Sequence, residues 1–573
     1  MNGPAAEEIE GRIRRRLEFI YGAEKAPETA AGVMSLVEKY GRAEAGPGPA
    51  WSEKDALLIT YGDSILEGGA APLAVLRDFL NERVGDAVTM LHLLPFYPYS
   101  SDDGFAVKDF RSVNPALGTW ADIEALARDY RCVFDAVINH VSASSVYMEG
   151  YAAGDPACAD FFIEMDPRAD ASSVMRTRDT PLVRPYETAG GEKWLWTTFS
   201  RDHVDLNWAN PRVLFEILDV LLFYASKGAQ ILRLDAVPYL WKEPGTSCVH
   251  LPRTHELIKL IRDVFDLSFP DVLLLSESNV PHRENLSYLG DGTDESQIIY
   301  NFTLAPLVLF AIATGDAEKL TEWAKTIENP GDRATFLNVT ATHDGIGMRP
   351  AEGILAEGER RFLVDLAFAH NGEITGKKNS DGTVSVYELN INYFDAVNDP
   401  NVGDPPELEV RRFILSQAIA LSLAGIPGIY IHSLVGSRND TGAVAETGMA
   451  RRINRARINR ADLQRELDAP RSLRARVFQE YMRMLAVRAR RRAFHPNAAQ
   501  EVLDLGPSLF ALRRRHPSGD EVVALHNVTG RRVKTDVGVD GGLVDLLDGP
   551  RDAPLRGRSV EMAPWQVRWL VPA

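Results

Sequence analysis

A chain of 573 residues is too long for one hydrophobic core, so about two to four domains are expected. Hydrophobic residues make up 45% and charged residues 25%, which is ordinary for a globular protein. The net charge of −17 argues against non-specific nucleic-acid binding, because such binding needs a basic surface.

The three cysteines, Cys132, Cys158 and Cys248, are scattered and show neither disulfide nor metal-site spacing. Residues 1–16 mix acidic and basic side chains and lack the apolar run of a secretory signal peptide. No stretch reaches the roughly 18 apolar residues that cross a bilayer. We therefore expect a cytoplasmic protein, monomeric or homodimeric, that binds neither nucleic acid nor membrane.

The order of predicted elements indicates a barrel. Residues 1–55 predict a helical N-terminal extension, after which short apolar strands alternate with amphipathic helices. The predicted strands are 56–61, 88–94, 132–138, 230–234, 272–276, 297–302, 333–342 and 428–433. This alternation predicts an α/β fold, a (β/α)8 TIM barrel formed by residues 56–141 and 209–490.

Two segments interrupt the alternation, and a third comes after it. Residues 142–208 are rich in Asp, Pro, Arg and Thr and predict a lobe inserted after the third strand. Residues 350–405 predict a second inserted loop region. Residues 495–573 carry short runs with a period of two, separated by Gly, Asp and Pro, and predict a C-terminal antiparallel β-sandwich domain.

The fourth predicted strand ends in two charged residues. Arg233 and Asp235 alternate with leucines, so their side chains share one face of the strand. Taken alone, this pair is best interpreted as a structural ion pair. Its role depends on the residues at the ends of the other strands.

Polar residues also stand at the ends of other predicted strands. The third strand is followed by His140, the fifth by Glu277, and the seventh by His343 and Asp344. Because the carboxyl ends of barrel strands meet at one face, we expect these side chains to lie near Asp235. Crowded carboxylates repel one another, so at least one should have a raised pKa. Such a group suits a retaining double displacement at a glycosidic bond, with a divalent metal site as the chemical alternative.

Four motifs carry a resemblance to a known family. The stretches 137–140 (VINH), 233–237 (RLDAV) and 343–344 (HD), together with Glu277, resemble the motifs of the α-amylase clan of retaining glycoside enzymes. The resemblance covers residues 56–490. Further stretches, 101–105 (SDDGF), 342–347 (THDGIG) and 436–440 (GSRND), are similar to its sucrose-phosphorylase branch. Within that branch, 239–250 and the N-terminal helices are most similar to the glucosylglycerate phosphorylases.

The resemblance implies a role for each matching residue. Asp235 would be the nucleophile, Glu277 the general acid/base, and Asp344 the stabiliser of an oxocarbenium-like transition state. Residues implied to surround the donor glucose are Asp102, Phe105, His140, Arg233, Tyr239, His343 and Arg451. In that arrangement Arg233 holds Asp235 ionised, and Asp102 pairs with Arg451. Asn139 matches a calcium ligand of some amylases, but the branch generally works without the ion, so neither metal nor cofactor is expected.

A phosphorylase needs cations beside the acceptor, where phosphate must enter. Arg176 and Arg178 in the first insert match a basic loop of the branch. Lys377 and Lys378 in the second insert are further candidates, with ordinary surface charge as the alternative. Asn279 stands where sucrose-specific members carry histidine. This difference favours an acceptor that is itself an oxyanion, such as glycerate.

The expected function is therefore that of a hexosyltransferase, a retaining phosphorylase of 2-O-α-D-glucosyl-D-glycerate. Its substrates would be a small sugar derivative and inorganic phosphate, and its products α-D-glucose 1-phosphate and D-glycerate. The alternatives are a sucrose or glucosylglycerol phosphorylase, an α-glucosidase or transglucosidase, and a catalytically silent barrel.

Overall fold

A computed structural model describes residues 4–41, 51–178, 180–378, 383–538, 542–548, 555–556 and 559–573. Within these residues, eight parallel strands close into a barrel. They are β1 (Leu57–Thr60), β2 (Met90–Leu93), β3 (Arg131–Ala136), β4 (Ala229–Leu234), β5 (Leu273–Ser276), β6 (Ile298–Asn301), β7 (Thr335–Val339) and β8 (Ile426–Tyr430). Strands consecutive in the chain are neighbours in the barrel, and β8 pairs with β1. The predicted (β/α)8 barrel is confirmed.

The strands are short apolar runs because the barrel buries both of their faces. In β4, for example, only Gln230 is exposed. The prediction for the eighth strand was shifted, since β8 begins at Ile426 and ends at Tyr430. A Cβ on Gly428 would lie 2.6 Å from Val339 Cγ1, so glycine lets β8 approach β7 closely. The next residues, Ile431–Leu434, form a short helix.

Helices follow the barrel strands and cover them. Two helices precede the barrel, α1 (Pro4–Tyr21) and α2 (Ala26–Tyr40). Those that follow β1 to β8 in turn are α3 (Pro72–Phe79), α4 (Trp120–Asp129), α5 (Pro211–Ser226), α6 (Pro252–Ser268), α7 (His282–Leu286), α8 (Leu304–Thr314), α9 (Pro406–Ser422) and α10 (Leu473–Arg488). Proline occupies the first turn of α3, α5, α6 and α9, where its missing N–H costs nothing. None of the helices in the described part of the chain is long and apolar enough to span a membrane.

The N-terminal helices pack on the outside of the barrel through ion pairs. Arg12 and Arg16 of α1 both donate to Asp263 of α6, at 2.8 and 2.6 Å. Lys39 of α2 lies 2.5 Å from Asp219 of α5. The extension therefore lies on the side of the barrel that carries α5 and α6.

Both inserts contain regular structure. The first includes a helix, Val146–Ala153, and an antiparallel hairpin, Val183–Thr188 with Gly191–Trp196. The second includes the helix Glu357–Ala369 and a hairpin of Glu373–Lys378 with Val384–Asn390. Both segments leave from the carboxyl ends of barrel strands, so they can build the walls of a site there.

The C-terminal domain is antiparallel. Its strands are β9 (Ala499–Leu503), β10 (Leu509–Arg515), β11 (Glu521–Asn527), β12 (Val533–Asp536), β13 (Gly542–Asp545), β14 (Leu555–Arg556), β15 (Ser559–Met562) and β16 (Val567–Pro572). One sheet has the order β9-β10-β11-β16-β13-β14, and β12 pairs with β15. The buried Arg514 donates to the carbonyls of Ser422 and His495, both at 2.8 Å, and so joins this domain to the barrel.

Candidate active site

The carboxyl ends of the barrel strands open into a cavity of about 310 Å³. Its wall contains Asp235, Glu277 and Asp344, from the ends of β4, β5 and β7. The other predicted site residues on this wall are Asp102, Phe105, His140, Arg178, Tyr239, Asn279, His343 and Arg451. The sequence therefore located most of the residues that line the cavity.

Arg233 lies beneath the wall and is 2% exposed. Its Nη1 donates to Asp235 Oδ1 at 2.8 Å and also to Asp135. Asp135 in turn contacts His92 Nε2 at 2.7 Å. Asp135 and His92 were not predicted from the sequence, although each is a polar residue within an otherwise apolar strand, which is a usable signal. Together they form a buried polar chain that ends at Asp235.

Asp235 and Glu277 are two carboxyls whose pKa values burial raises, with a further rise from their negative neighbours. The charge of Arg233 opposes the rise at both. Arg233 is shared with Asp135, so its charge offsets only part of the effect that burial has on the pKa of Asp235. Among the described residues, Glu277 accepts only the Ala236 N–H, at 3.0 Å, whereas Asp235 accepts from the Arg233 guanidinium. We infer that Asp235 is the ionised member and Glu277 the protonated one.

Asp344 is a second carboxylate that its surroundings keep ionised. Arg451 Nη1 lies 2.8 Å from its Oδ1, and Arg455 Nη2 lies 3.5 Å away. These cations and the neighbouring His343 lower the pKa of Asp344 despite its burial. Two of the three crowded carboxyls thus have a raised pKa and one has a lowered pKa.

The implied ion pair between Asp102 and Arg451 is long, since Arg451 Nη1 lies 3.7 Å from Asp102 Oδ2. Arg455 is closer to Asp102, at 3.3 Å, and also donates to Asp103 at 2.8 Å. The sequence did not single out Arg455, because it is one of several arginines between 451 and 460. Asp102 and Asp103 have φ values of 50° and 51°, a strained conformation that aims both carboxylates at these cations.

His140, His343 and Phe105 form one aromatic wall. Phe105 stacks on His343, with ring centroids 4.9 Å apart and planes at 4°, and its carbonyl contacts His140 Nε2 at 3.2 Å. Burial lowers the pKa of His343 to about 3 and lowers that of His140 as well. Both histidines are therefore neutral and can hydrogen-bond to sugar hydroxyls without adding charge.

The position that resembles a calcium ligand already contacts a cation. Lys242 Nζ lies 2.6 Å from Asn139 Oδ1 and 2.6 Å from Asp205 Oδ2. The side chains of Lys242 and Asp205 are 3% and 0% exposed. The ammonium stands between the oxygens that a metal ion would need, so these residues do not fit a bound cation. Across the described part of the chain, no group of three or more His, Cys, Asp or Glu side chains has metal-site geometry.

Of the predicted acceptor-side cations, the structure brings one to the cavity wall. Arg178 lies over the Tyr387 ring at 4.9 Å, and no carboxylate of the described residues lies within 4 Å of it. Arg176 instead donates to the Thr180 carbonyl, and Lys377 pairs with Glu352 at 3.2 Å. Neither lines the cavity. The side chain of Lys378 lies outside the described residues.

Three carboxyl groups stand at the carboxyl face of a (β/α)8 barrel: a buried aspartate joined to arginine, a buried glutamate whose pKa is raised, and an aspartate whose pKa is lowered. This set defines a class, the retaining glycoside enzymes that work by double displacement.

Comparisons with known proteins narrow the class. Residues 84–344 match the α-amylase catalytic domain. The chain is 48% identical over 527 residues to a glucosylglycerate phosphorylase of Allomeiothermus silvanus, covering 91% of this chain and 93% of that protein. Identity to a glucosylglycerate phosphorylase of Spirochaeta thermophila is 46%, over 90% of this chain and 89% of that protein. The crystal structure of a sucrose 6F-phosphate phosphorylase from Thermoanaerobacter thermosaccharolyticum has the same fold, with a TM-score of 0.73, 24% identity and coverage of 85% and 96%. The chain belongs to the family of the glucosylglycerate phosphorylases.

Proposed function

We propose that the protein catalyses the reversible phosphorolysis of 2-O-α-D-glucosyl-D-glycerate to α-D-glucose 1-phosphate and D-glycerate. The observation that carries this proposal is Arg178, a cation with no carboxylate partner among the described residues, on the wall of a cavity that also holds Asp235, Glu277 and Asp344. A hydrolase needs no cation there, whereas a phosphorylase must attract phosphate. The two relatives at 48% and 46% identity, both named glucosylglycerate phosphorylase, support the same substrate.

The geometry suits two displacements at the anomeric carbon. In the first, Asp235 attacks C1, Glu277 gives its proton to the glycosidic oxygen, and D-glycerate leaves. In the second, a phosphate oxygen attacks C1 of the β-glucosyl ester, Glu277 takes the phosphate proton, and Asp235 leaves as a carboxylate. Asp344 stabilises the positive charge that C1 and the ring oxygen develop in both transition states. Two inversions give net retention of the α configuration.

We further infer that the enzyme works in the cytoplasm, needs no cofactor, and is a monomer or homodimer. The three cysteines are unpaired, as in a reducing compartment, and Lys242 already contacts the oxygens that a cation would need. Activity that is unchanged by prolonged treatment with a chelator would agree with this inference. Sedimentation of the purified protein measures its oligomeric state.

Phosphorolysis assays with three donors test the function. We expect faster release of α-glucose 1-phosphate from glucosylglycerate than from sucrose or glucosylglycerol. Faster turnover of sucrose or glucosylglycerol would overturn the substrate assignment, and glucose release that does not depend on phosphate would identify an α-glucosidase. Asp235→Ala should abolish turnover and leave the circular-dichroism spectrum unchanged, whereas turnover retained by that variant would overturn the mechanism.

A further inference from the structure

Arg233 serves two carboxylates with one nitrogen. Its Nη1 donates to Asp235 Oδ1 at 2.8 Å and also to Asp135 Oδ1. The barrel register brings these groups together, because Asp135 of β3 pairs with Arg233 of β4 and Asp235 directly follows β4. The side chains of Arg233 and Asp135 are 2% and 0% exposed. Water therefore compensates neither charge, and the two carboxylates share one buried cation.

His92 fixes the protonation state of Asp135. His92 Nε2 lies 2.7 Å from Asp135 Oδ2, and His92 Nδ1 has no hydrogen-bond partner among the described residues. Burial alone would raise the pKa of Asp135, but the charge of Arg233 and the contact with His92 lower it. An ionised carboxylate only accepts hydrogen bonds, so Nε2 carries the imidazole proton and Nδ1 is bare. Asp135 is thus an ionised carboxylate beside a neutral imidazole.

The guanidinium of Arg233 is packed between aromatic side chains. Its Cζ lies 5.6 Å from the ring centroid of Phe105 and 5.8 Å from that of Tyr300. Its Nε is buried and has no hydrogen-bond partner in the part of the chain that the structure describes. Because a packed interior leaves little free volume, Arg233 stays beside both carboxylates during the reaction.

Catalysis removes the charge of one of these carboxylates. In the first displacement an oxygen of Asp235 bonds to C1, the glycosidic C1–O bond breaks, and its electron pair goes to the glycerate oxygen, which takes the proton of Glu277. Asp235 thereby changes from a carboxylate to a neutral ester. A buried cation that loses its partner is strongly unfavourable. Arg233 therefore needs a second anion while the ester exists.

Glu277 becomes an anion in the same step but makes no ion pair with Arg233. Its carboxyl accepts from the Ala236 N–H, and among the described residues Arg233 pairs within 4 Å only with Asp135 and Asp235. Asp135 is thus the carboxylate that touches Arg233 in both states of Asp235.

We propose that Asp135 is the permanent counter-ion of Arg233, which lets Asp235 alternate between carboxylate and glucosyl ester. Asp135 is a positioning residue, because it acts through Arg233 and does not line the cavity. His92 supports Asp135 by donating to its second oxygen. The inference rests on the proposed double displacement and deepens it, since it assigns a charge balance to the covalent intermediate.

The charged surroundings determine what loss of Asp135 should do. The groups that act most strongly on Asp235 are Arg233, Glu277, Asp135 and Asp344. Those that act most strongly on Asp135 are Arg233, His92 and His343. Arg233 is common to both sets. Without the charge of Asp135, the whole charge of Arg233 acts on Asp235, which lowers the pKa of Asp235 and disfavours its conversion to an ester.

Asp135→Asn removes the charge and keeps the size of the side chain. The test is the ratio of glucosyl-enzyme to unmodified enzyme at saturating α-glucose 1-phosphate and fixed phosphate, read by mass spectrometry of acid-quenched protein. A neighbouring charge shifts a carboxyl pKa by about 1–3 units, so the ratio should fall by about 10- to 1000-fold. The acid limb of the profile of kcat/KM against pH should move down by about 1–3 pH units, because Asp235 stays ionised further into acid.

Asp263→Asn is the matched control. Asp263 is also a buried aspartate that accepts from arginines, at 2.8 Å from Arg12 and 2.6 Å from Arg16, but it lies on the outside of the barrel. D263N should leave the ratio and the acid limb unchanged. Structural damage alone slows both displacements and leaves their equilibrium where it is. An unchanged ratio in D135N, or an acid limb that stays or moves to higher pH, would overturn the inference.

A measurement on protein that keeps Asp135 covers the case in which D135N does not fold. Nitrogen-15 NMR of histidine-labelled enzyme, with H92Q to assign the signal, reports the protonation of His92. We expect neutral His92 with its proton on Nε2, both in the free enzyme and in E277Q glucosylated with α-glucosyl fluoride. A bare Nε2 would place the proton on Asp135, and a cationic His92 would neutralise Asp135, so either result would overturn the inference.

Failure of the proposed function gives a different result. It would appear as wild-type enzyme that does not phosphorolyse glucosylglycerate. The ratio measured with α-glucose 1-phosphate and phosphate does not depend on that donor, so the two failures are distinguishable.

Discussion

The guanidinium of Arg451 is held between Asp344 and Glu388. Its Nη1 lies 2.8 Å from Asp344 Oδ1, and its Nε and Nη2 donate to the two oxygens of Glu388 at 2.8 and 3.0 Å. Glu388 is 0% exposed and belongs to the second insert, whereas Asp344 follows β7. The planar guanidinium uses three of its donors on two carboxylates, so its orientation is determined. The second insert thereby fixes the orientation of an arginine on the cavity wall.

The first prediction concerns the geometry of Arg451. Arg451→Lys keeps the charge but cannot hold Glu388 in a bidentate pair and Asp344 at the same time. We expect kcat/KM for phosphorolysis to fall about 10- to 100-fold, because one charge-assisted hydrogen bond is lost. Arg465→Lys is the control, since Arg465 is exposed and pairs only with Asp462 among the described residues. A change of equal size in both variants would contradict the assigned role.

The second prediction separates the roles of Glu277 and Asp235. Glu277→Gln should lower phosphorolysis of glucosylglycerate by about 10²- to 10⁴-fold, because no proton reaches the leaving oxygen. With α-glucosyl fluoride, whose leaving group needs no acid, the same variant should still glucosylate Asp235. Mass spectrometry would detect the added glucosyl group on the peptide that contains Asp235. A label on another peptide would contradict the assignment of the nucleophile.

The third prediction is the pH dependence. Activity needs ionised Asp235, so it should fall as pH drops through the pKa of that carboxyl. Activity also needs protonated Glu277, so it should fall as pH rises through the pKa of the Glu277 carboxyl. Burial raises both pKa values, so both limbs should lie above the range of ordinary carboxyl groups. The measurement is a profile of kcat/KM against pH. The two limbs of the profile give apparent pKa values that belong to Asp235 and Glu277 as a coupled pair.

A matched profile identifies the alkaline limb. With α-glucosyl fluoride as donor, E277Q has no acid to lose, so its glucosylation rate should stay level where phosphorolysis by the wild type declines. A decline at the same pH in E277Q would assign the limb to another group. Tyr239 is the nearest alternative, because its phenol also lies on the cavity wall.

The predicted residues Asp235, Glu277 and Asp344 share one property, that each comes within a few residues of the end of a barrel strand. Asp235, Glu277 and Asp344 could be placed together because strand order alone brings their ends to one face. The polar residues inside strands, Asp135 and His92, were also within reach of such reasoning. Only the resemblance to the α-amylase clan, however, favoured a catalytic role for Asp235 over a role in a structural ion pair with Arg233.

The residues that the sequence missed depend on the path of the inserts. Glu388 reaches Arg451 only because the hairpin Val384–Asn390 folds back over the cavity. Arg455 lies closer to Asp102 than Arg451 does, and the two distances, 3.3 and 3.7 Å, differ by only tenths of an ångström. No periodicity encodes such differences, because they arise from tertiary packing and not from local spacing.

The last prediction concerns stability at the opposite end of the barrel. Arg488 is 1% exposed and donates to backbone carbonyls of three separate segments. The acceptors are Glu53, Asp55, Leu421, Gly425 and Phe494. Burial lowers the pKa of Arg488 to about 10, so it remains protonated at neutral pH.

Arg488→Gln leaves several of these buried carbonyls unpaired, which costs about 3 kcal/mol or more. We expect Tm to fall by roughly 2–3 °C, while kcat/KM at low temperature stays within about twofold. Arg483→Gln on the same helix is the control, because Arg483 is partly exposed and contacts Glu480 at 2.5 Å. Unchanged Tm in R488Q would show that water replaces the lost donors. A large loss of activity without a shift in Tm would instead show that this end of the barrel influences the site.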